Sequence, residues 1–313
     1  RNEKEMKNKL VITGGLGFAG KNFYLLNRHK WKNIIVIDKN TYASDLKYFK
    51  KIKLKNHKLV LADICKKHLY EKYIDNNTIL IHFAAESHVD KSFNSSLNFT
   101  INNTFGSHVL LEICRKKKPK KIIFISTDEV YGETLKFKDE KSLLEPTNPY
   151  SASKAGADLL AQTYIKSFNL PIIIIRSNNL YGNRQFSEKI IPAIIKAIVK
   201  RSRVLIHGKG QTSRHFLHIE DFCNAINLII NKSKLREIYN IRGKTCYKII
   251  ELVKKMCEIA KIHYKSCYKF IEDRPFNDKV YKISVSKLKK LGWKENKKFE
   301  VEISKLIKEK SFI

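Results

Sequence analysis

A glycine-rich turn near the start of the chain limits the possible folds more than any other feature. Residues 10–13 form a short apolar run, and the segment GGLGFAG that follows places Gly14, Gly17 and Gly20 before a helical segment. Strand, glycine turn and helix in this order bring a pyrophosphate to backbone N–H groups at the helix N-terminus. Asp38 ends the next apolar run eighteen residues after Gly20, where a carboxylate binds the adenosine ribose and repels a 2′-phosphate. The pattern predicts a dinucleotide-binding unit that prefers NAD to NADP.

Short apolar runs alternate with longer amphipathic stretches through the first half of the chain. Such runs are typical of strands that are buried on both faces of a parallel sheet. The predicted strands are residues 10–13, 33–38, 58–61, 78–83, 121–126 and 170–176, and the predicted helices between them are residues 21–27, 97–115 and 150–168. The repeated βαβ order predicts an α/β fold, a Rossmann-type doubly wound parallel sheet with ligands at the carboxyl ends of its strands.

The second half of the chain has a less regular pattern. Helical segments are predicted at residues 188–200, 220–231 and 248–260. We therefore expect a large lobe over residues 1–176 and a smaller C-terminal α/β substrate lobe over residues 177–313, with some segments returning to the first lobe. Because no low-complexity linker separates the two halves, we expect a packed cleft between them.

Charge and cysteine content bear on the possible partners. The 313 residues include 62 Lys and Arg against 30 Asp and Glu, a net charge of +32, which alone suggests a nucleic-acid partner. The lysines are spread along the whole chain, however, and the densest run, residues 116–121, falls at a predicted helix end, where cations are favoured. We therefore predict no nucleic-acid partner. Six cysteines without a CxxC pair, and histidines without ligand spacing, predict free thiols and no metal.

Hydropathy bears on the compartment. No apolar run approaches the roughly 18 residues that a membrane span requires. Residues 1–9 lead through charges into the first predicted strand without the apolar region of a secretory signal. These features predict a cytoplasmic protein without a membrane partner.

Tyr150 and Lys154 are candidates for redox chemistry. They lie four residues apart at the start of a predicted helix, so their side chains are about 40° apart around its axis. An ammonium beside a phenol favours the phenolate and would lower the tyrosine pKa, which suits the oxidation of an alcohol by NAD. The spacing alone is equally compatible with an ordinary amphipathic helix start.

Two adjacent carboxylates, Asp128 and Glu129, follow the predicted strand at residues 121–126. This is the edge of the sheet where ligands bind in such a fold. Burying two carboxylates is costly, but surroundings that separate their pKa values would make one an acid and the other a base. A solvated acidic turn is the alternative interpretation.

Motifs along nearly the whole chain resemble those of the extended short-chain dehydrogenase/reductase family, and within it the nucleotide-sugar (UDP-glucose or dTDP-glucose) 4,6-dehydratases. The matching segments are GGLGFAG, IDKNTYASDL, HFAAESHVDKSF, STDEVYGE, PTNPYSASKAGAD, NNLYGNRQFSEKIIP, IHGKGQTSRHFLHIED and EDRPFNDKVY. The resemblance implies an NAD-binding domain over residues 1–176 and a nucleotide-sugar-binding domain over residues 177–313. It also implies tightly bound NAD that is regenerated in each cycle.

The resemblance implies a role for each catalytic residue. Tyr150 would remove the proton of the C4 hydroxyl while hydride passes from C4 to NAD. Lys154 would hold the nicotinamide ribose, and Thr127 would bond the C4 oxygen. Glu129 would then remove the C5 proton and later return it, while Asp128 protonates the departing C6 hydroxyl.

Further residues are predicted to bind the two ligands. The cofactor set is Gly14, Gly17, Phe18, Gly20, Asp38, Lys39, Thr41, Asp63, Ile64, Phe83, Ala84, Ala85, Tyr150 and Lys154. The substrate set, carried over from the resemblance, is Ser87, Asn179, Glu188, Lys189, Arg214, Asn240, Arg274 and Asn277. Arg214 would clamp the diphosphate, since a guanidinium bonds phosphate in a bidentate manner.

Several positions depart from the bacterial dTDP-glucose enzymes. Leu180 replaces a second Asn, His215 an Asp and Asn277 a His. The segments RPFND, TNPYSA and KAGA resemble instead the UDP-glucose 4,6-dehydratase domain of multifunctional rhamnose synthases. A UDP-hexose is therefore expected, with UDP-glucose favoured, but UDP-N-acetylglucosamine and dTDP-glucose remain open.

Other functions use similar residues. A nucleotide-sugar 4-epimerase or decarboxylase of the same family needs Tyr150 and Lys154 but not the acid at position 128, and a non-catalytic NAD-binding regulatory protein needs neither. The intact set favours dehydration. The apolar faces of residues 97–115 and 150–168, which pair across a two-fold axis in the family, predict a homodimer.

Overall fold

The structure is a computed structural model that describes residues 7–310. Residues 1–6 and 311–313 lie outside this range. The prediction of a cytoplasmic protein depends in part on the charged residues 1–9, and most of these lie outside the described residues.

The large lobe is built on a parallel sheet of seven strands within the described residues, in the order β10-β6-β5-β4-β1-β2-β3. The strands of all the sheets in the described residues are numbered in chain order: β1 (Lys7–Thr13), β2 (Trp31–Asp38), β3 (Lys58–Leu61), β4 (Thr78–His82), β5 (Lys121–Thr127), β6 (Ile172–Ser177), β7 (Asn179–Tyr181), β8 (Val204–His207), β9 (Ser213–His218), β10 (Ile238–Ile241), β11 (Thr245–Lys248) and β12 (Tyr268–Ile271). The predicted doubly wound α/β fold is confirmed, because all neighbouring pairs in this sheet are parallel.

Helices cover both faces of the sheet. They are α1 (Phe18–Asn27), α2 (Leu46–Ile52), α3 (Val89–Asn94), α4 (Ser96–Phe99), α5 (Gly106–Lys117), α6 (Pro149–Phe168), α7 (Ile190–Lys200), α8 (Ile219–Lys232), α9 (Ile249–Ile259), α10 (Ser286–Lys290) and α11 (Phe299–Lys308). In β6, Ile173 and Ile175 face the core beneath α1 and α8. Ile172 and Ile174 face the core beneath α5 and α6. This alternation across a strand buried on both sides explains the continuous apolar run.

The helix predicted at residues 97–115 is divided into three parts. Helix α4 leads into a π-helical segment at Thr100–Phe105, and α5 begins at Gly106. In the π-helical segment, Asn103 donates to the Ser153 hydroxyl at 2.9 Å and Thr104 donates to the Ser153 carbonyl at 2.8 Å. The local widening therefore presents polar side chains to α6, an arrangement that apolar periodicity does not reveal.

The second half forms a smaller lobe and also returns to the first. Strands β11, β9 and β7 form one small sheet, and β12 and β8 form another. These strands share an apolar core with α7, α9 and α11. Helix α8 and strand β10 belong instead to the large sheet, so the division at residue 176 remains a prediction. No helix within residues 7–310 is long and apolar enough to span a membrane.

A buried ion pair connects the large sheet to α6. Both nitrogens on one side of the Arg176 guanidinium bond the Asp158 carboxylate, at 2.9 Å and 2.8 Å, and the two side chains are 1% and 0% exposed. Another Arg176 nitrogen donates to the Tyr131 hydroxyl at 2.7 Å. Tyr131 in turn donates to Asn240 of β10 at 2.9 Å. One guanidinium thus holds together β6, α6, the turn after β5 and, through Tyr131, β10.

Asp158→Ala is expected to lower the free energy of unfolding by about 3–5 kcal/mol, because it leaves the Arg176 charge buried without its partner. Urea denaturation followed by circular dichroism measures this loss. The control is Glu258→Ala, which removes an exposed carboxylate 3.3 Å from Lys255 and is expected to cost less than about 1 kcal/mol. Equal losses in the two variants would contradict the importance of the buried pair.

Candidate active site

A cavity of about 520 Å³ lies at the carboxyl ends of the central strands. One wall consists of residues at the ends of β1, β2, β4, β5 and β6. The other wall is formed by the smaller lobe and includes Lys189, Arg214 and Arg274. The cavity therefore occupies the cleft that the strand order of a doubly wound sheet provides for ligands.

The glycine turn forms the floor at one end of the cavity. Gly14 has a φ of +71°, and a Cβ atom there would lie 2.6 Å from the backbone nitrogen of Ala84. A Cβ on Gly20 would collide with the Gly14 carbonyl oxygen. Gly17 caps α1 without a side-chain hydrogen bond, which leaves the first N–H groups of the helix available to an anion.

Asp38 lies beside this turn and is 7% exposed. Its carboxylate accepts hydrogen bonds from the backbone nitrogens of Leu16 at 3.0 Å and Asn40 at 2.8 Å, and from the Ser44 hydroxyl at 3.0 Å. Since a carboxylate offers about four acceptor positions, one remains for a ribose hydroxyl. The glycine turn and the anchored acid therefore fit the adenosine diphosphate half of NAD.

Buried polar side-chain atoms without hydrogen-bond partners also line the cavity. The Ser126 hydroxyl and both polar side-chain atoms of Asn178 have no hydrogen-bond partner within residues 7–310, and both residues line the cavity. Since unpaired buried polar groups are costly, these atoms fit a polar ligand such as a nicotinamide with its ribose.

Tyr150 and Lys154 are brought to the cavity by the start of α6. The Asn148 side chain accepts from the Ser151 nitrogen at 2.9 Å, and Pro149 occupies the first helical turn, so the helix begins just before Tyr150. Tyr150 is 8% exposed and Lys154 is 5% exposed. Both side chains therefore meet the cavity at the base of a capped helix.

The expectation that Lys154 lowers the pKa of Tyr150 is not met by the protein side chains alone. The Lys154 ammonium donates to the Ile125 carbonyl at 2.7 Å, and burial lowers the pKa of Lys154 to about 8. Burial and the negative charge of Glu129 raise the pKa of Tyr150, although a hydrogen bond with Thr127 opposes the shift. Burial is the larger cause of the difference, and the charges of Glu129 and Asp128, which a Tyr–Lys spacing does not reveal, add to it.

The carboxylate pair lines the same cavity as Tyr150. Strand β5 ends in a turn of 3₁₀-helix at Asp128–Tyr131, where the Thr127 hydroxyl lies 3.3 Å from the Glu129 nitrogen and 3.4 Å from Asp128 Oδ1. Burial and the neighbouring Glu129 charge raise the pKa of Asp128 to about 8. Asp128 is therefore protonated near neutral pH and can donate a proton.

Glu129 has more cationic surroundings. Burial raises the pKa of Glu129. The charges of Arg214 and Lys189 lower this pKa, and the charge of Asp278 raises it. Two adjacent carboxylates with different neighbours can therefore divide the roles of acid and base. The solvated acidic turn considered above does not apply, since Asp128 is only 4% exposed.

The remaining polar residues lie towards the smaller lobe. The Lys189 ammonium donates to the Ser87 carbonyl at 2.7 Å. Arg214 donates to the Asp278 carbonyl at 2.8 Å, and the Arg274 guanidinium lies 2.5 Å from Asp90. These cations line the cavity beyond the carboxylate pair, where a diphosphate could reach them.

Most of the predicted site residues line this one cavity. They are Gly14, Gly17, Phe18, Gly20, Asp38, Lys39, Thr41, Ile64, Phe83, Ala84, Ala85, Ser87, Thr127, Asp128, Glu129, Tyr150, Lys154, Asn179, Glu188, Lys189, Arg214, Arg274 and Asn277. Their individual roles remain predictions. In the part of the chain that the structure describes, no three His, Cys, Asp or Glu side chains form a group that could hold a metal ion.

Two predicted residues are not among those that line the cavity. Asp63 accepts from the backbone nitrogen of Cys65 at 2.9 Å and so stabilises its own turn. Asn240 is completely buried in β10, where it accepts from Tyr131. Asn240 was expected to bind substrate from the family resemblance, and it lies in β10, which is part of the large sheet. Both assignments remain predictions.

Among the cavity residues that were not selected from the sequence, four are polar and lie close to the predicted catalytic set: Ser126, Asn178, Asp278 and Tyr281. The first two are adjacent to predicted residues, but only their unpaired buried atoms distinguish them. The other two lie in the segment EDRPFNDKVY. No spacing rule connects this segment with Glu129, because the contact forms between the two lobes.

The fold and the site define the class of the protein. A glycine turn, a ribose-binding acid and a buried Tyr–Lys pair on one helix are the parts of a short-chain dehydrogenase/reductase, which uses a nicotinamide cofactor.

Comparisons with known proteins define the family. The family model described as GDP-mannose 4,6 dehydratase matches residues 11–306. A dTDP-D-glucose 4,6-dehydratase of Dictyostelium discoideum is 40% identical over 95% of this chain and 80% of its own length. The Arabidopsis thaliana trifunctional UDP-glucose 4,6-dehydratase/UDP-4-keto-6-deoxy-D-glucose 3,5-epimerase/UDP-4-keto-L-rhamnose-reductase is 39% identical over 95% of this chain, which spans 46% of that longer protein.

A solved structure is similar over nearly its whole length. The dTDP-glucose 4,6-dehydratase DesIV of Streptomyces venezuelae, crystallised with NAD, has a TM-score of 0.91 and 30% identity, with 96% of each chain covered. The chain therefore belongs to the extended short-chain dehydrogenase/reductase family of NAD-dependent nucleotide-sugar 4,6-dehydratases, as its motifs had indicated.

Proposed function

We propose that the protein converts a UDP-hexose, with UDP-glucose favoured, to its 4-keto-6-deoxy product. The carboxylate pair beside Tyr150 is the observation that carries the proposal, because dehydration requires an acid and a base in addition to the redox residues. The UDP preference is supported by RPFND (residues 274–278) and by the similarity to the Arabidopsis trifunctional protein. The 40% identity to a dTDP-D-glucose 4,6-dehydratase supports the second candidate, dTDP-glucose.

The first chemical step is the oxidation of C4. Tyr150 takes the proton of the C4 hydroxyl, and Thr127, whose hydroxyl lies next to both Tyr150 and Asp128, bonds the C4 oxygen. Lys154 holds the nicotinamide ribose. Bound NAD would supply the hydride acceptor for C4 and the hydride donor for C6, and the positive charge of its oxidised form would favour the phenolate.

The second step is the loss of water across C5 and C6. The 4-keto group acidifies the C5 proton, which Glu129 removes. Asp128, protonated near neutral pH because its pKa is about 8, donates its proton to the C6 hydroxyl, which leaves as water. Glu129 returns its proton to C5 as hydride arrives at C6. The hexose has then lost one water, and its oxidation state is redistributed between C4 and C6.

The cations of the smaller lobe are proposed to bind the nucleotide diphosphate. Arg214 and Lys189 would bond the diphosphate, with Asn179 and Glu188 near the sugar and Arg274 and Asn277 near the nucleotide. Each of these residues lines the same cavity as the carboxylate pair. A high positive charge also favours the approach of an anionic substrate.

Two alternatives use the same fold. A 4-epimerase or decarboxylase would not use the acid at position 128. That acid is only 4% exposed, and its burial would then have no function to offset its cost. A regulatory NAD-binding protein would need none of the buried carboxylates. The cost of burying such groups supports an active dehydratase.

The donor is tested by incubating the purified protein with UDP-glucose, UDP-N-acetylglucosamine and dTDP-glucose in parallel. We expect the loss of one water from UDP-glucose, detected by mass spectrometry, and slower or no loss from the other two. Preferred loss from dTDP-glucose or UDP-N-acetylglucosamine would correct the donor. No loss from any of the three, in protein that retains NAD, would refute the proposed function.

The protein is further proposed to form a homodimer through α5, α6 and the segment that precedes α5. Leu97, Ile101, Phe105 and Leu159 are exposed apolar side chains on these elements. Their burial in a two-fold interface would remove an apolar surface from water.

The predicted cytoplasmic location also stays a proposal. The six cysteines, all free thiols, support it.

Light scattering at micromolar concentration is expected to give the mass of a dimer, and Phe105→Asp with Leu159→Asp to give a monomer that remains folded. The control is Leu205→Asp, which changes an exposed leucine of β8 and should leave the mass unchanged. A monomeric wild-type protein would contradict the proposed interface.

A further inference from the structure

Arg274, a proposed nucleotide residue, lies on an irregular segment of the smaller lobe. The segment connects β12 with α10. Asp273 stabilises its turn, because the Asp273 carboxylate accepts from the Arg274 backbone nitrogen at 2.9 Å and from the Asn277 side chain at 2.8 Å. These bonds fix the backbone of the turn but not the long Arg274 side chain, whose rotamers carry a large entropy.

Support for the Arg274 side chain comes from the large lobe. Asp90 lies in the first turn of α3. Its Oδ2 accepts from Arg274 Nη2 at 3.3 Å, and its Oδ1 lies 2.5 Å from Arg274 Nε. The two residues are 184 positions apart in the chain, and both line the cavity. Asp90 thus holds one edge of the guanidinium from across the cleft.

Two histidines are also near the Asp90 carboxylate, but they are more distant than Arg274. His207 Nε2 lies 3.8 Å from Oδ1, and His88 Nδ1 lies 3.9 Å from Oδ2. Both distances exceed that of a hydrogen bond, so Arg274 is the main partner of Asp90. The Asp90 side chain is 37% exposed, and an ion pair in contact with water contributes little to the stability of a fold.

A guanidinium can bond two anionic groups at once, because its five N–H groups lie in one plane and point in fixed directions. Asp90 occupies the edge formed by Nε and Nη2 of Arg274, so the edge formed by the two terminal nitrogens can bond a phosphate. Lys189, which is proposed to bond the diphosphate, is close by. Burial lowers the pKa of Lys189, and the charge of Arg274 lowers it further. Asp90 therefore holds Arg274 near a residue of the proposed diphosphate site.

We propose that Asp90 is a positioning residue for substrate binding: from the large lobe it holds the Arg274 side chain in the orientation that bonds a phosphate of the nucleoside diphosphate. A side chain that is ordered before the ligand arrives loses little entropy on binding, and this raises the affinity. The inference rests on the proposed role of Arg274 in nucleotide binding.

Positioning and charge predict opposite effects of Asp90→Asn. The change keeps the shape of the side chain, removes its charge and replaces one acceptor oxygen with an amino group. Loss of order in Arg274 should weaken the binding of UDP by about 3- to 10-fold. Loss of a negative charge alone should strengthen the binding of this anion, by about twofold or less at about 0.15 M salt. Isothermal titration of the NAD-bound protein with UDP at this salt concentration measures the dissociation constant.

Combining Asp90→Asn with Arg274→Ala tests whether Asp90 acts through Arg274. In a protein without this guanidinium, Asp90 has no arginine to orient, and only the effect of its charge is left. We expect Asp90→Asn to weaken UDP binding when Arg274 is present. When Arg274 is absent, the same change should leave binding unaltered or up to about twofold stronger. A general structural role of Asp90 would weaken binding in both backgrounds.

The matched control is Glu112→Gln in α5. Arg115 donates to the two oxygens of Glu112 through Nε at 2.9 Å and Nη2 at 2.8 Å, so the same two nitrogens are used as in the contact of Arg274 with Asp90. The Glu112 side chain is 39% exposed, and it is not among the residues that line the cavity. The control changes the net charge by the same amount as Asp90→Asn, and UDP binding should remain as in the wild-type protein.

Two results would overturn the inference. They are unchanged or tighter UDP binding in Asp90→Asn, and an equal weakening by this change with and without Arg274. If Asp90→Asn does not fold, Asp90→Glu, which keeps the charge but displaces the carboxylate, takes its place with the same expected weakening. If the donor test selects dTDP-glucose, dTDP replaces UDP. Failure of the proposed function is distinguished, because then the wild-type protein binds neither UDP nor dTDP.

Discussion

The bidentate ion pair between Arg176 and Asp158 is the constraint on which the geometry of the catalytic centre depends. Asp158 follows Lys154 by one turn of α6, and Tyr131, which receives a hydrogen bond from Arg176, ends the turn that carries Asp128 and Glu129. The redox residues and the carboxylate pair are therefore tied to one buried guanidinium. A buried charge tolerates little displacement, because no water is available to replace the hydrogen bonds that are lost when its partners move apart.

This rigid arrangement is combined with an uneven distribution of charge. Burial raises the pKa of Asp128 to about 8, with a contribution from Glu129, whereas Arg214 and Lys189 act on Glu129 from the smaller lobe. Arg214 lowers the pKa of both carboxylates, and Lys189 acts on Glu129, so the smaller lobe supplies cations that favour the ionised base. Because the same cations are suited to a diphosphate, substrate binding and the properties of Glu129 are linked through the cleft.

The sequence predicted the parts of the fold and site that depend on local pattern. Strand β6 was visible as an apolar run. The glycine turn was recognised because a strand precedes it and a helix and then Asp38 follow it, and Tyr150 and Lys154 were recognised by their helical spacing. Features that depend on distant contacts were not visible. They include the position of Asn240 in the large sheet, the hydrogen bonds made by the π-helical segment before α5, and the contact of Tyr281 with Glu129. The shift in the pKa of Tyr150 was not visible for the same reason, since both the burial and the carboxylates that raise this pKa depend on the fold.

The central claim is that one cavity oxidises C4 and reduces C6 of the same sugar. The most direct test is a turnover with a nucleotide sugar that carries deuterium at C4, followed by nuclear magnetic resonance of the product. The account predicts that the deuterium is found at C6 of the 4-keto-6-deoxy sugar, without dilution by solvent protons. Deuterium retained at C4, or lost to the solvent, would contradict it.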